Sequence, residues 1–175
     1  AIVAHPALRR VNFTGSTKVG RLIAQTCAKY LKPAVLELGG NDPLIVMDDA
    51  DPEKAAELAA SGSYKNSGQR CTAVKRILVH EKVVGAFTEA LLAKTRAWSY
   101  GDPLDPDMDM GTVIDEPAAM RFAALVNEAV SAGARLRHGN QRRGASYAPT
   151  LLDRVDPQMP LVRYETFGPV SPIIS

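Results

Sequence analysis

Of the 175 residues, two carry a thiol, and their settings differ. Cys27 falls on the apolar face of an expected helix, the usual place of a small buried hydrophobe. Cys71 follows Asn66-Ser67-Gly68-Gln69-Arg70 and precedes Thr72, a stretch that breaks the helical pattern, so it is expected on a loop whose backbone N–H groups can stay free. A neighbouring guanidinium and free amide dipoles favour the thiolate, the nucleophilic form, so Cys71 is a candidate to attack an electrophilic carbon. Glu37 interrupts the apolar run Val35-Leu36-Glu37-Leu38 just before Gly39-Gly40. A carboxylate there is either an edge residue facing water or a partly desolvated group poised as a general base. Gly15-Ser16 stands before an expected helix, where free amides and the positive end of the dipole can hold an anion; the plain alternative is that Ser16 only caps the helix.

Strands alternating with helices are needed to position these groups. A strand at 11–13 runs through Gly15-Ser16 into a helix from Lys18 to about Tyr30, with Val19, Leu22, Ile23 and Cys27 on its apolar face, ended by Pro33. Residues 34–38 read as a buried strand, and a second strand follows over 43–47. Asp51-Pro52-Glu53 is a strong helix start, with a capping acid, proline at the first helical position and a further acid in the first turn. That helix runs to about Lys65. A strand over 74–80, a helix over 83–98, a loop around 101–106 and a helix over 116–131 come next. Short strands at 134–137 and 149–152 and a last strand near the end complete the chain. The pattern predicts an α/β fold with a mostly parallel sheet flanked by helices.

The formal net charge of +2 argues against nucleic acid or an anionic membrane as partner. The longest apolar stretches, such as Leu44-Ile45-Val46-Met47, fall far short of the ~20 residues that span a bilayer. Arg135, Arg137, Arg142 and Arg143 form the densest basic stretch and read as a solvated strand end and loop. His5, His80 and His138 are not spaced for a metal, so each is expected at the surface or a strand end. Two dissimilar cysteines suit a reducing cytoplasm rather than a disulfide framework. The chain opens without Met or a signal pattern and is expected to be a piece of a longer protein.

Taken together, four stretches resemble the aldehyde dehydrogenase superfamily. Phe13-Thr14-Gly15-Ser16-Thr17-Lys18-Val19-Gly20 is similar to its phosphate-contacting turn, and Leu36-Glu37-Leu38-Gly39-Gly40-Asn41-Asp42-Pro43 to its glutamate motif. Asn66-Ser67-Gly68-Gln69-Arg70-Cys71-Thr72-Ala73 is similar to its cysteine motif, and 71 − 37 = 34 positions separate the two, as in the family. Glu165-Thr166-Phe167-Gly168-Pro169-Val170 resembles the motif that holds the nicotinamide ribose and ring.

The resemblance implies NAD or NADP as cofactor and a small aldehyde as substrate. Cys71 would be the nucleophile and Glu37 the base that activates water, the two facing one cleft. Gly15 and Ser16 would meet the pyrophosphate and Leu38 the nicotinamide; Glu165 would accept from the ribose hydroxyls, with Phe167 packed beside the ring. Residues 1–37 would close the dinucleotide-binding domain and residues 38–175 would form most of the catalytic domain. The family's asparagine oxyanion donor would lie outside these residues, so the isolated chain is expected to be inactive; the full-length enzyme would be a homodimer or homotetramer.

Around Arg70 the sequence resembles the branch containing phosphonoaldehyde and non-phosphorylating glyceraldehyde-3-phosphate dehydrogenases. A guanidinium beside the nucleophile suits an anionic aldehyde, phosphono- or phospho-, because its donors match those groups. The alternative for Arg70 is a pair with a nearby acid or an influence on the thiol. Other functional readings are a semialdehyde dehydrogenase, a cysteine hydrolase, or a folded module with structural duty only.

Overall fold

The computed structural model describes residues 2–175. They fall into two compact units, one reaching to Gly40 and the other spanning Asn41–Ser175. The first is a strand–helix–strand unit. Strand β1 (Val11–Thr14) runs parallel to β2 (Ala34–Glu37), with Val11 opposite Ala34 and Thr14 opposite Glu37. Helix α1 (Thr17–Lys29) connects them, and the Ser16 side chain caps it by accepting from the Val19 N–H at 3.3 Å.

Leu38 packs over α1, where a Cβ on Gly20 would lie 2.6 Å from Leu38 Cδ2. Two expectations are corrected here. The inward side of α1 carries Gly20, Ile23, Ala24 and Cys27, whereas Val19 and Leu22 are exposed. Strand β2 is half-buried in alternation, so Val35 and Glu37 face out instead of lying in a buried run. Among the described residues β1 and β2 pair with each other alone.

In the second unit, strands β3 (Pro43–Val46), β4 (Arg76–Val79), β8 (Thr150–Asp153), β9 (Val170–Ile174) and β5 (Arg135–His138) form a sheet in the order β3-β4-β9-β8-β5. Only β5 is antiparallel to its neighbour. Helices α2 (Pro52–Tyr64) and α3 (Val84–Ala97) belong to one core, with Ala56, Tyr64, Phe87 and Leu91 against Ile77, Leu151 and Ile173. Helices α4 (Glu116–Ser131) and α5 (Pro160–Arg163) belong to the other, with Phe122, Val126 and Leu161 against Leu152, Val170 and Ile174. Leu151 and Leu152, like Ile173 and Ile174, therefore serve opposite faces, as the two-residue period of a strand requires. Asp51 and Asp115 cap α2 and α4, each followed by a proline in the first turn. The Arg-rich loop contains a hairpin the sequence pattern did not foretell, β6 (Arg142–Arg143) with β7 (Ser146–Tyr147). Among the described residues no helix is long and apolar enough to cross a membrane.

The basic stretch is not simply solvated. Arg135 donates through Nε and Nη2 to the two carboxylate oxygens of buried Asp153 at 2.8 and 2.6 Å. Arg137 bridges Asp153 and Glu89, at 2.7 Å each, with its side chain only 15% exposed. Arg142 pairs with Glu116. The strand period explains it: Arg135 and Arg137 are two apart and share one face of β5.

The cysteine loop leaves α2 through three consecutive residues with left-handed backbone, Asn66 (φ 55°), Ser67 (φ 54°) and Gly68 (φ 68°). A Cβ at position 68 would run into the Gly168 carbonyl and lie 2.9 Å from the Pro169 nitrogen. The cysteine loop and the loop of Glu165 and Phe167 thus meet backbone to backbone.

Two outcomes follow. Burial pushes the Asp153 carboxyl up, but hydrogen bonds and charges from Arg135 and Arg137 outweigh this and hold it below the usual carboxylate value. A depressed folded-state value means the stabilisation is complete above the unfolded carboxylate pKa near 4 and is lost as pH falls through the folded one. Asp153→Asn should therefore cost about 2 kcal/mol at pH 7 and flatten the acid limb of the Tm–pH profile, as read by thermal denaturation. Gly68→Ala should lose at least about 2 kcal/mol, because a left-handed alanine also meets fixed backbone, whereas Gly144→Ala should lose about 1. Gly144 is equally left-handed (φ 56°) but has open space around it, so equal losses would remove the close-contact argument.

Candidate active site

Cys71 is exposed, in contrast to buried Cys27. Its loop is held by contacts on every side within the second unit. The Ser67 hydroxyl lies 3.0 Å from the Gly111 carbonyl and 3.3 Å from that of Thr112. The Gln69 side-chain oxygen accepts from the Ile114 N–H at 2.8 Å. Asn66 donates from its side chain to the Gln69 carbonyl at 3.1 Å, closing the left-handed turn on itself.

The backbone around the thiol is aimed by its carbonyls. Ala73 N–H donates to the Arg70 carbonyl at 3.2 Å, and Lys75 Nζ donates to the Cys71 carbonyl at 2.6 Å. In a trans peptide the N–H points opposite to the C=O. Holding these two carbonyls therefore turns the Cys71 and Thr72 amides away from Ala73 and Lys75, and among the described residues neither amide donates to another group. Free amides beside a nucleophile are what a developing oxyanion requires.

Lys75 was not singled out by sequence reasoning, which took it only as part of the stretch after Cys71. Its side chain is 3% exposed, yet its ammonium faces the Cys71 carbonyl, the Ala73 carbonyl at 3.3 Å and Glu165 Oε1 at 3.5 Å. A usable signal exists: Ala73, Lys75, Ile77 and Val79 share one parity and all are buried, so Lys75 occupies the inward series leading into β4. Glu165 and Phe167 keep access to solvent, with the Phe167 residue 42% exposed in a left-handed backbone (φ 56°).

The Arg70 side chain reaches back to α2. Its Nη2 donates to the Gly62 carbonyl of α2 at 2.8 Å, and its Nε is buried without a partner. The Val74 N–H donates to the same Gly62 carbonyl at 3.1 Å. Both flanks of Cys71 are thus tied to one carbonyl in the last turn of α2, and no acid takes part.

In the first unit, Glu37 ends β2 with its side chain exposed, the water-facing one of the two placements that the sequence left open. Its carbonyl accepts from the Gly15 N–H at 3.0 Å, so the glutamate and the Gly15-Ser16 turn are fixed to each other. Helix α1 carries no acid in its first turn, leaving its positive end unneutralised. The second unit gathers Cys71, Arg70, Glu165 and Phe167, and the first gathers Gly15, Ser16, Glu37 and Leu38.

Residues 1–175 match the Aldehyde dehydrogenase family. The chain is 50% identical to vanillin dehydrogenase of Pseudomonas fluorescens over 173 residues, covering 99% of the chain and 36% of that protein. Identity to sulfoacetaldehyde dehydrogenase of Neptuniibacter caesariensis is 42% over 170 residues, covering 97% and 37%. The structure of a salicylaldehyde dehydrogenase from Pseudomonas putida G7 complexed with salicylaldehyde superposes with a TM-score of 0.94 at 40% identity, covering 99% of the chain and 36% of that structure. The chain therefore spans little more than a third of the length of these relatives. Over that span, its four motifs and its fold make it a member of the aldehyde dehydrogenase family.

Proposed function

We propose that the full-length protein oxidises an aldehyde to a carboxylic acid with NAD or NADP, and that Cys71 is its nucleophile. One observation carries this reading: an exposed thiol stands on a loop whose carbonyls are tied inward, which leaves the adjacent amides free. The residues suit a dinucleotide. The turn at Gly15-Ser16 opens a 13-residue helix with a hydroxyl cap and no first-turn acid, which favours a pyrophosphate. Glu165 offers a carboxylate to ribose hydroxyls, and the accessible Phe167 ring offers a flat apolar surface to a nicotinamide.

The bound dinucleotide supplies the hydride acceptor. Cys71 forms a bond from Sγ to the aldehyde carbon, and the oxyanion of the resulting thiohemiacetal meets the Cys71 N–H. Loss of hydride from that carbon leaves a thioester on Cys71. Glu37 takes a proton from the water that attacks the thioester, so the C–S bond breaks and releases the acid and the thiolate. Aldehyde, water and oxidised dinucleotide become acid, reduced dinucleotide and a proton.

For the substrate, the expectation of a phosphono- or phospho-aldehyde rests on Arg70, one donor of which is engaged by the Gly62 carbonyl. An uncharged aromatic aldehyde is the first reading, supported by 50% identity to a vanillin dehydrogenase. A small anionic aldehyde is the second, supported by 42% identity to a sulfoacetaldehyde dehydrogenase.

In the full-length protein, Cys71→Ala should abolish oxidation. Glu37→Gln should keep a burst of about one reduced dinucleotide per site in stopped flow, followed by turnover slowed ~10²-fold or more. A Glu37→Gln protein with unchanged steady-state turnover would remove the glutamate from the mechanism. Arg70→Ala should lower kcat/KM for vanillin and for sulfoacetaldehyde by the same factor, because the side chain holds the loop. A loss more than ~10-fold larger for the anion would restore Arg70 as an anion clamp.

A further inference from the structure

We propose that Lys75 is a positioning residue that serves the cysteine loop and Glu165 at once, setting both thiol reactivity and dinucleotide affinity. The inference rests on Cys71 being the nucleophile proposed above. A lysine ammonium has three N–H donors and no acceptor, and burying it without partners is costly. Lys75 answers that cost with three acceptors: the Cys71 carbonyl at 2.6 Å, the Ala73 carbonyl at 3.3 Å and Glu165 Oε1 at 3.5 Å. Two belong to the turn that carries the thiol. The third belongs to the loop that packs on Gly68 through Gly168.

The backbone at Lys75 is fixed independently of its side chain. Its N–H donates to the Asp42 carbonyl at 3.0 Å, and that carbonyl also accepts from Arg76 N–H at 3.3 Å. The ammonium therefore starts from an anchored strand and reaches back four residues to the Cys71 carbonyl. Without it, that peptide plane loses its inward partner and the Thr72 N–H loses its outward aim. The same ammonium is a cation beside the Glu165 carboxylate and orients it. Neither effect requires Lys75 to touch substrate or cofactor.

The test uses the full-length protein with Lys75→Met, Lys75→Arg and Glu165→Gln, each checked for folding by near-UV circular dichroism. Two quantities are measured: the rate at which the Cys71 thiolate displaces iodide from iodoacetamide, and the dissociation constant of reduced dinucleotide by fluorescence titration. Lys75→Met should slow alkylation ~10-fold or more and weaken dinucleotide binding by a factor of several, the scale expected when a supporting contact is lost. Lys75→Arg should restore most of both, since a guanidinium can bridge a carbonyl and a carboxylate. Glu165→Gln should weaken dinucleotide binding and leave alkylation nearly unchanged.

If Lys75→Met does not fold, the double variant Lys75→Met/Glu165→Gln removes both charges and carries the alkylation readout, alongside Lys75→Arg. Alkylation in the methionine or double variant within about twofold of wild type overturns the proposal, as does an arginine variant that folds but restores nothing. Alkylation of wild-type Cys71 that leaves aldehyde oxidation intact overturns the nucleophile itself, a result visible without any Lys75 variant.

Discussion

No side chain fits between residue 68 and the Gly168 carbonyl, and the arrangement of the second unit follows from that close approach. The cysteine loop leads into β4, and the loop of Glu165 and Phe167 leads into β9. These strands are parallel neighbours, so the loops before them emerge at the same end of the sheet and must share its space. Strand β3 is parallel to β4 on its other side, which brings Asn41 and Asp42 to that end too. The Asn41 side chain donates to the Val162 carbonyl at 2.8 Å, and its own carbonyl accepts from Arg76 Nε at 2.8 Å. The candidate residues of the second unit thus collect at the amino ends of three parallel strands. Ligands of open α/β sheets commonly gather at the opposite, carboxyl ends. Here glycine at 68 lets the two loops pack closely, and glycine at 168 leaves room for the Phe122 ring of α4.

The left-handed run at 66–68 has a cost that the surroundings repay. Non-glycine residues with positive φ lose of order 1 kcal/mol each unless neighbouring contacts determine them. Asn66 bonds back to Gln69, Ser67 is held against the Gly111 and Thr112 carbonyls, and Gln69 accepts from Ile114. Each polar side chain in Asn66-Ser67-Gly68-Gln69 is therefore used to hold backbone. That accounts for a stretch whose composition looks like an ordinary polar loop but whose conformation is fixed.

Local chemistry was legible in the sequence; long-range partners were not. Helix α4 begins and ends where Asp115, Pro117 and the apolar period place it, because its caps are made by neighbours in the chain. The thiol at Cys71 stood out through its own polar, glycine-containing stretch, whereas the groups that hold its loop, the Gly111 and Thr112 carbonyls and the Ile114 amide, are far away in sequence. The contact of Arg70 was not legible, because a guanidinium beside a nucleophile says nothing about which way it turns, and its partner, Gly62, offers only a carbonyl that no residue type advertises. For Glu37 the sequence left a water-facing and a partly desolvated placement open, because an apolar run does not say which parity of the strand is covered; in β2 the covered residues are Ala34 and Leu36. The basic stretch hid ion pairs because Asp153 lies 16 and 18 positions from Arg137 and Arg135.

The tie at Gly62 bears on how the thiol is presented. The carbonyls in the last turn of a helix lack intrahelical donors, and such groups need partners when buried. The Gly62 carbonyl receives two, the Arg70 guanidinium before Cys71 and the Val74 amide after it. Residues 70–74 therefore form an arch with both feet on one oxygen and the thiol near its crown. Lys75 draws the Cys71 carbonyl to the inside of the arch, which leaves Sγ and the adjacent amides for its outer side. Of the several donors of the Arg70 guanidinium, Nη2 is the one engaged in holding that shape. In this arrangement the side chains flanking Cys71 set how the thiol is presented.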